Sequence, residues 1–157
     1  MPLFDVFYPA GTFTPEARTE LADELTTILL RAERAPDTEF FRNITWAYMH
    51  EMPDGAVFAA GKPVEQPTFR LQVTIPQGAL SDRRKQELVS EATRVISEAA
   101  GFGDSDHLRV WVLINEVPDG NWGAAGSVVQ FEQLRQYAAK EREEPGSAVV
   151  EPATTTV

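Results

Sequence analysis

Apolar positions in this chain follow two periods in alternation. Residues 2–8, Pro-Leu-Phe-Asp-Val-Phe-Tyr, form an aromatic and β-branched run that predicts a short buried strand, closed by the turn Pro9-Ala10-Gly11. Leu21, Leu25, Ile28 and Leu29 then recur three or four apart, the spacing of one helix face. Thr14-Pro15-Glu16 marks the start of that helix: a hydroxyl at the cap, a proline where no amide donor is needed, and an acid at the positive end of the dipole. The helix stops near Pro36. Ile44 to Met49 predicts a second strand, and Met52-Pro53-Asp54-Gly55 is turn chemistry leading into Ala59-Ala60-Gly61.

The plan then runs again. Phe69, Leu71, Val73 and Ile75 alternate with Arg70, Gln72 and Thr74 as a half-buried strand. Ser81-Asp82 caps a helix with Leu88, Ala92, Val95, Ile96 and Ala99 on one face; Gly101-Phe102-Gly103 breaks it, and His107 to Asn115 is the last long strand. Trp46, Glu51, Pro53, Asp54, Gly55, Ala59, Ala60 and Gly61 recur at a constant offset of 65 residues as Trp111, Glu116, Pro118, Asp119, Gly120, Ala124, Ala125 and Gly126. Such a period marks one supersecondary unit used twice. Each half is a β-α-β unit with a right-handed crossover. The expected organisation is a first unit at 1–61, a linker at 62–67, a second unit at 68–139, and a solvated, disordered tail at 140–157.

A chain of 157 residues can bury roughly 70% of its unfolded surface in one core. It has no cysteine, no run near the ~20 apolar residues of a membrane helix and no signal-peptide pattern at its start, which together predict a cytoplasmic protein. A net charge of −10 with no basic stripe argues against nucleic acid and anionic membrane as partners. His50 and His107 have no metal-ligand spacing around them, so no metal and no cofactor is implied. Nothing matches a nucleophile triad, a phosphate loop or a dinucleotide fingerprint.

Two tandem β-α-β units behind Met1-Pro2 resemble the tautomerase superfamily over roughly residues 2–137. The segment Phe69 to Ser127, with Gln77-Gly78-Ala79-Leu80-Ser81-Asp82 and Glu116-Val117 through Trp122-Gly123-Ala124-Ala125-Gly126, is similar to the short 4-oxalocrotonate tautomerase unit. Met1-Pro2-Leu3-Phe4, Phe13-Thr14-Pro15 and Ala59-Ala60-Gly61-Lys62 look more like the fused branch that contains cis-3-chloroacrylic acid dehalogenase. The resemblance implies an α/β fold of two units related by a pseudo-two-fold, a four-stranded mixed sheet with helices on one face, and a homotrimer. It also implies that Pro2 is the catalytic group once Met1 is removed. The chemistry is consistent: an α-amino group titrates near ~7.7–8.0, burial lowers that value, and a neutral secondary amine at pH 7 is a general base.

The departures narrow the activity. Dehalogenase, hydratase and decarboxylase members carry paired arginines in the loop that is Pro76-Gln77-Gly78-Ala79 here, and the water-directing residues of the cis-dehalogenase align with Leu29, Leu113 and Ala124. The cations weighed as replacements are Arg34, Arg42, Arg70 and Arg109. Arg34, two residues before Pro36, falls where the migration inhibitory factor branch places an active-site lysine, and Arg70 lies on the polar face of the third strand; either could clamp a carboxylate, and either could be merely solvated or paired. Trp122 and its first-half counterpart Phe58 are expected either to wall the pocket or to fill core and trimer interface. Tyr48 is a candidate proton donor with a buried, capped hydroxyl as its alternative, Trp46 and Trp111 are expected in the core, and Glu51 and Glu116 are expected to bond turn amides. The preferred expectation is a cofactor-independent tautomerase or isomerase of small keto-enol acids. The alternatives are a dehalogenase, hydratase or decarboxylase of three-carbon acids, and a non-catalytic trimer of the same fold.

Overall fold

The computed structural model describes residues 2–102, 104–144 and 146. Its centre is a mixed sheet of four strands. The outer pairs are parallel, β1 (Leu3–Pro9) with β2 (Trp46–Met52) and β5 (Phe69–Pro76) with β6 (Val110–Val117), and the order across the sheet is β2-β1-β5-β6. The two units join through β1 and β5, which run antiparallel with Leu3 opposite Thr74 and Phe7 opposite Arg70. The pseudo-two-fold therefore passes between these strands, and the tandem β-α-β reading holds.

Strand alternation divides the residues between two faces. Phe4, Val6 and Tyr8 of β1 and Phe69, Leu71, Val73 and Ile75 of β5 are buried on one side, where α1 (Pro15–Glu33) and α3 (Asp82–Ala99) cover them with Leu21, Leu25, Ile28, Leu29, Leu88, Ala92, Val95 and Ile96. Each of the larger side chains contributes about 1.5–3 kcal/mol by leaving water. Thr14 caps α1 as expected, accepting the Ala17 amide at 3.2 Å. Ser81 stands at the cap position of α3, but its hydroxyl makes no cap bond and accepts from Arg84 Nε at 3.3 Å.

The opposite face is open, and here the sequence expectations need correction. Trp46 and Trp111 are 60% and 68% exposed, not core, and Tyr48 is 45% exposed, not a buried hydroxyl. Their strands pair Trp46 with Leu3, Tyr48 with Asp5 and Trp111 with Arg70, and partners across a register share a face, so all three stand on the side without helices. A single chain leaves this aromatic face uncovered.

Each half ends in a miniature hairpin: β3 (Phe58–Ala59) with β4 (Lys62–Pro63), and β7 (Gly123–Ala124) with β8 (Ser127–Val128). The expected linker at 62–67 thus begins as a strand. Ala60 and Ala125 occupy equivalent turn positions, both with φ of 50°, each followed by a left-handed glycine. Two helices had no counterpart in the sequence reading, a single turn α2 (Glu39–Asn43) and α4 (Phe131–Glu143). The latter carries chain expected to be tail, as far as Glu143; most of the remaining tail, and Met1, lie outside the described residues. Among the described residues no helix is long and apolar enough to cross a membrane.

Candidate active site

Antiparallel pairing of β1 with β5 puts the start of one strand beside the end of the other. One register step before the Leu3–Thr74 pair, Pro2 comes level with Ile75, adjacent to Pro76. Its ring is fully buried, and its carbonyl accepts the Trp46 amide at 3.3 Å. By alternation with Phe4 it lies on the helix-covered face, and a hydrogen bond from Arg84 to the Ala32 carbonyl joins the first turn of α3 to the last turn of α1.

A cavity of about 600 Å³ opens at this end of the sheet. Its walls are the turn Glu33-Arg34-Ala35, the loop residues Pro76, Gly78 and Ala79, Arg84 of α3, and one side of α4 from Phe131 to Arg142. Four arginines (Arg34, Arg84, Arg135 and Arg142) line it against two glutamates, Glu33 and Glu132, a locally basic pocket in a chain of net charge −10. Arg34 ends α1 in the left-handed conformation, φ 56°, where glycine is usual, and its amide bonds back to Arg31 and Leu30 carbonyls. The Arg34 carbonyl accepts from the Arg142 guanidinium, which fastens α4 to this turn.

The loop without the paired arginines is supplied with a cation from the helix that follows. Arg84 Nη1 donates to the Ala32 carbonyl at 2.7 Å, so this guanidinium bridges α3 to α1 at the cavity. Sequence reasoning missed Arg84, and it missed Glu33. Glu33 as a residue is half-buried, but its Oε1 is cut off from solvent and has no hydrogen-bond partner. Burial pushes this carboxyl up to about 7, against the pull of the amino-terminal charge and of Arg84.

A signal for both was present in the helical spacing. The stripe Leu21, Leu25, Leu29 continues four residues on to Glu33, and the stripe Leu88, Ala92, Ile96 begins four residues earlier with Arg84. A charge in register with a buried stripe is a candidate for function. At the pseudo-symmetric ends the same stripes carry Ala17 and Ala100, both packed against the core. The two-fold is thus broken at the end of the sheet where Pro2 lies.

The other nominated residues fall elsewhere. Arg70 sits five residues from Ile75, roughly 16 Å along β5, with its guanidinium 3.9 Å from the centroid of the Phe7 ring. It shares a second cavity of about 390 Å³ with Phe58 and Trp111, so the structure joins Arg70 to Phe58 and parts both, within one subunit, from Pro2. Trp122 is half-buried just before β7, and Tyr48 is on the open face near His50, which is held by Asp5 at 2.6 Å. Arg42 is taken up by Asp37 and Asp23, and Arg109 by Asp106 and the Pro67 carbonyl.

The repeated glutamates do what their symmetry suggested. Glu51 Oε1 accepts the Gly11 amide at 2.7 Å and Glu116 Oε1 the Gly78 amide at 3.0 Å, and both glycines have the positive φ that turns their amides toward these carboxylates. Lys85 adds a 2.9 Å bond to Glu116 and, with the Gly78 amide, holds its carboxyl below the ordinary range. Glu116 thereby fixes the loop that forms one wall of the cavity.

The family model described as "Tautomerase enzyme" matches residues 71–132, most of the second unit. No curated protein matches the chain. Among solved structures, N1, a member of the cis-3-chloroacrylic acid dehalogenase family, is 22% identical and superimposes with a TM-score of 0.71 over 90% of this chain and 96% of its own. The symmetric trimer of the fused 4-OT protein Q0 is 23% identical, with a TM-score of 0.67 over 87% and 98%. Pt0534, in a form inactivated by 2-oxo-3-pentynoate, is 18% identical, with a TM-score of 0.68 over 84% and 98%. The chain has the tautomerase-superfamily fold in its fused, two-unit form, and its second unit carries the family's sequence pattern.

Proposed function

We propose that the chain, after removal of Met1, is a cofactor-independent tautomerase or isomerase of small keto-enol acids with Pro2 as general base. The observation that carries this reading is that Pro2 leads into the strand paired antiparallel with β5, whose last residue, Pro76, lines the basic cavity, at the one end of the pseudo-symmetric sheet where both helix stripes end in charge, Glu33 and Arg84. A buried secondary amine is neutral near pH 7 and takes the enol hydroxyl proton; Arg84 and Arg34 hold the carboxylate, Arg84 from a guanidinium already fixed by α1. The family-model match of the second unit and the shared fold support tautomerase-type catalysis in general, and the residue roles are proposed from this site's own geometry.

The assembly we propose is a homotrimer. The exposed aromatic face of Trp46, Tyr48 and Trp111 asks for a cover, and fused 4-OT relatives of this fold are trimers. In such an assembly we propose that Phe58 and Trp122, which belong to the outlying hairpin regions, wall a cavity at a subunit boundary.

The test is ketonisation of phenylenolpyruvate by protein whose intact mass shows loss of one methionine. Pro2→Ala, which keeps an amine but changes its basicity and shape, should lose most of the rate. Equal rates in the two proteins would sink the assignment of Pro2 as base, and no activity in either would leave a non-catalytic trimer. One observation favours a second reading: Arg84 and Arg34 supply cations where the loop arginines are absent, as a dehalogenase, hydratase or decarboxylase of three-carbon acids requires. No water-directing set accompanies them at Leu29, Leu113 and Ala124, so negligible chloride release from 3-chloroacrylates is expected.

A further inference from the structure

An unpartnered carboxyl oxygen, on the cavity at the end of the sheet where β1 begins, is the feature of this site that the Pro2 mechanism leaves unused. We propose that Glu33 is a second catalytic group, a protonated acid that delivers the proton to the substrate carbon while Pro2 withdraws the one on oxygen. The inference rests on the function proposed above and deepens it, from a one-residue base to an acid–base pair.

A structural role for Glu33 is hard to support. Its Oε1 makes no hydrogen bond, and leaving a carboxylate oxygen buried without a partner costs several kcal/mol relative to a well-chosen apolar residue. The helix stripe that leads to it is leucine at the three preceding steps, Leu21, Leu25 and Leu29, and the equivalent position of the other unit is Ala100. The charged groups around it do not neutralise it by contact. Arg84 is engaged with the Ala32 carbonyl and the Ser81 hydroxyl. Arg34, Glu132, Arg135 and Arg142 share the cavity wall, and none bonds to Glu33 Oε1. What such a place does favour is the neutral carboxylic acid, and burial lifts its titration to about 7, so that both forms are populated near neutral pH. That is the requirement for a group that gives a proton and regains it in each turnover.

The step balances without a co-reactant. The Pro2 nitrogen lone pair takes the enol hydroxyl proton, and the O–H electrons become the carbonyl π bond. The C=C π pair takes the proton from the Glu33 O–H, leaving Glu33 as carboxylate and Pro2 as ammonium. Passage of that proton from Pro2 to Glu33 restores both groups, and the reverse reaction exchanges their roles.

The experiment compares wild type, Pro2→Ala, Glu33→Gln and Glu33→Asp, all with Met1 removed, using phenylenolpyruvate in H₂O and D₂O. Glu33→Gln is expected to lower kcat by about 100-fold with little change in KM, and to abolish the alkaline decline of kcat. In D₂O, wild type is expected to place deuterium on one face of the methylene carbon and Glu33→Gln on both faces. Glu33→Asp keeps an acid at shorter reach, so it should retain the alkaline limb with an intermediate rate, and it serves if the glutamine variant does not fold. Wild-type rate, pH profile and deuterium stereochemistry in a folded Glu33→Gln, with Pro2→Ala impaired, would overturn the role of Glu33 alone. An inert wild type, or a Pro2→Ala as fast as wild type, would overturn the proposed function and this inference together.

Discussion

Arg84 Nη1 donates a 2.7 Å hydrogen bond to the carbonyl of Ala32, tying the first turn of α3 to the last turn of α1 beside the candidate site. Because that bond fixes one edge of the guanidinium, binding of the proposed carboxylate there would cost this side chain little further entropy.

Replacing Arg84 by alanine should therefore raise KM for phenylenolpyruvate by about 10- to 100-fold, equivalent to one charge-assisted hydrogen bond or pair, and cost about 1 kcal/mol of stability through the Ala32 carbonyl. Arg84→Lys should recover only part of the KM, since lysine keeps the charge without the fork. Arg70→Ala should leave KM unchanged, because Arg70 lies with Phe7 and Phe58 at the other end of β5. Steady-state kinetics on the three variants, with thermal unfolding alongside, decides the matter; an equal penalty at Arg70 would move the carboxylate site.

Glu33 and Glu116 should give stability opposite dependences on pH. Glu33 titrates near 7 when folded and near 4.5 when unfolded, so the native state binds the extra proton between those values and loses stability as pH rises through them. Glu116 is displaced downward from 4.5 by Lys85 and the Gly78 amide, so its contribution is complete above about 4.5 and is lost as pH falls through its folded value. Glu33→Gln should stabilise the protein at pH 8 by up to about 3 kcal/mol, less whatever the unpartnered amide costs, and change little at pH 4. Glu116→Gln should destabilise at pH 7 and converge with wild type in acid. Denaturant midpoints measured from pH 3 to 8 test both signs.

The open sheet face should be the assembly surface. Sedimentation equilibrium at micromolar concentration is expected to report a trimer, and Trp111→Asp, which puts a charge where an indole is 68% exposed on one chain, is expected to shift it to monomer. A wild-type monomer at that concentration would refute the trimer and leave the aromatic face unexplained.

The hairpin alanines offer a test of local strain. Ala60 and Ala125 hold φ of 50° before Gly61 and Gly126, a conformation that L residues other than asparagine and aspartate resist. Ala60→Asn and Ala125→Asn should each stabilise by about 0.5–1 kcal/mol, and the two gains should add, since they sit in separate hairpins. Calorimetry of the single and double variants measures this directly.

Much of the fold could be read from the chain because it rests on local rules. Strand alternation at Phe69 to Ile75, the leucine stripe of α1, the Thr14 cap and the 65-residue repeat each report on neighbours a few residues apart, and together they implied two β-α-β units and the glutamate-bonded turns. The exposure of Trp46, Tyr48 and Trp111 was not of that kind. Period-2 patterning separates two faces of a strand but does not tell which face the helices cover, and aromatic content misleads when the other face awaits partner subunits. The site was decided by the same long-range step. Only antiparallel pairing of β1 with β5 brings Pro2 beside Pro76, and only the helix packing that follows places Glu33 and Arg84, 51 residues apart in sequence, on one cavity while sending Arg70 to another. Side-chain chemistry is written residue by residue, but proximity between residues distant in sequence is set by which strand edges pair, and that is a property of the whole chain.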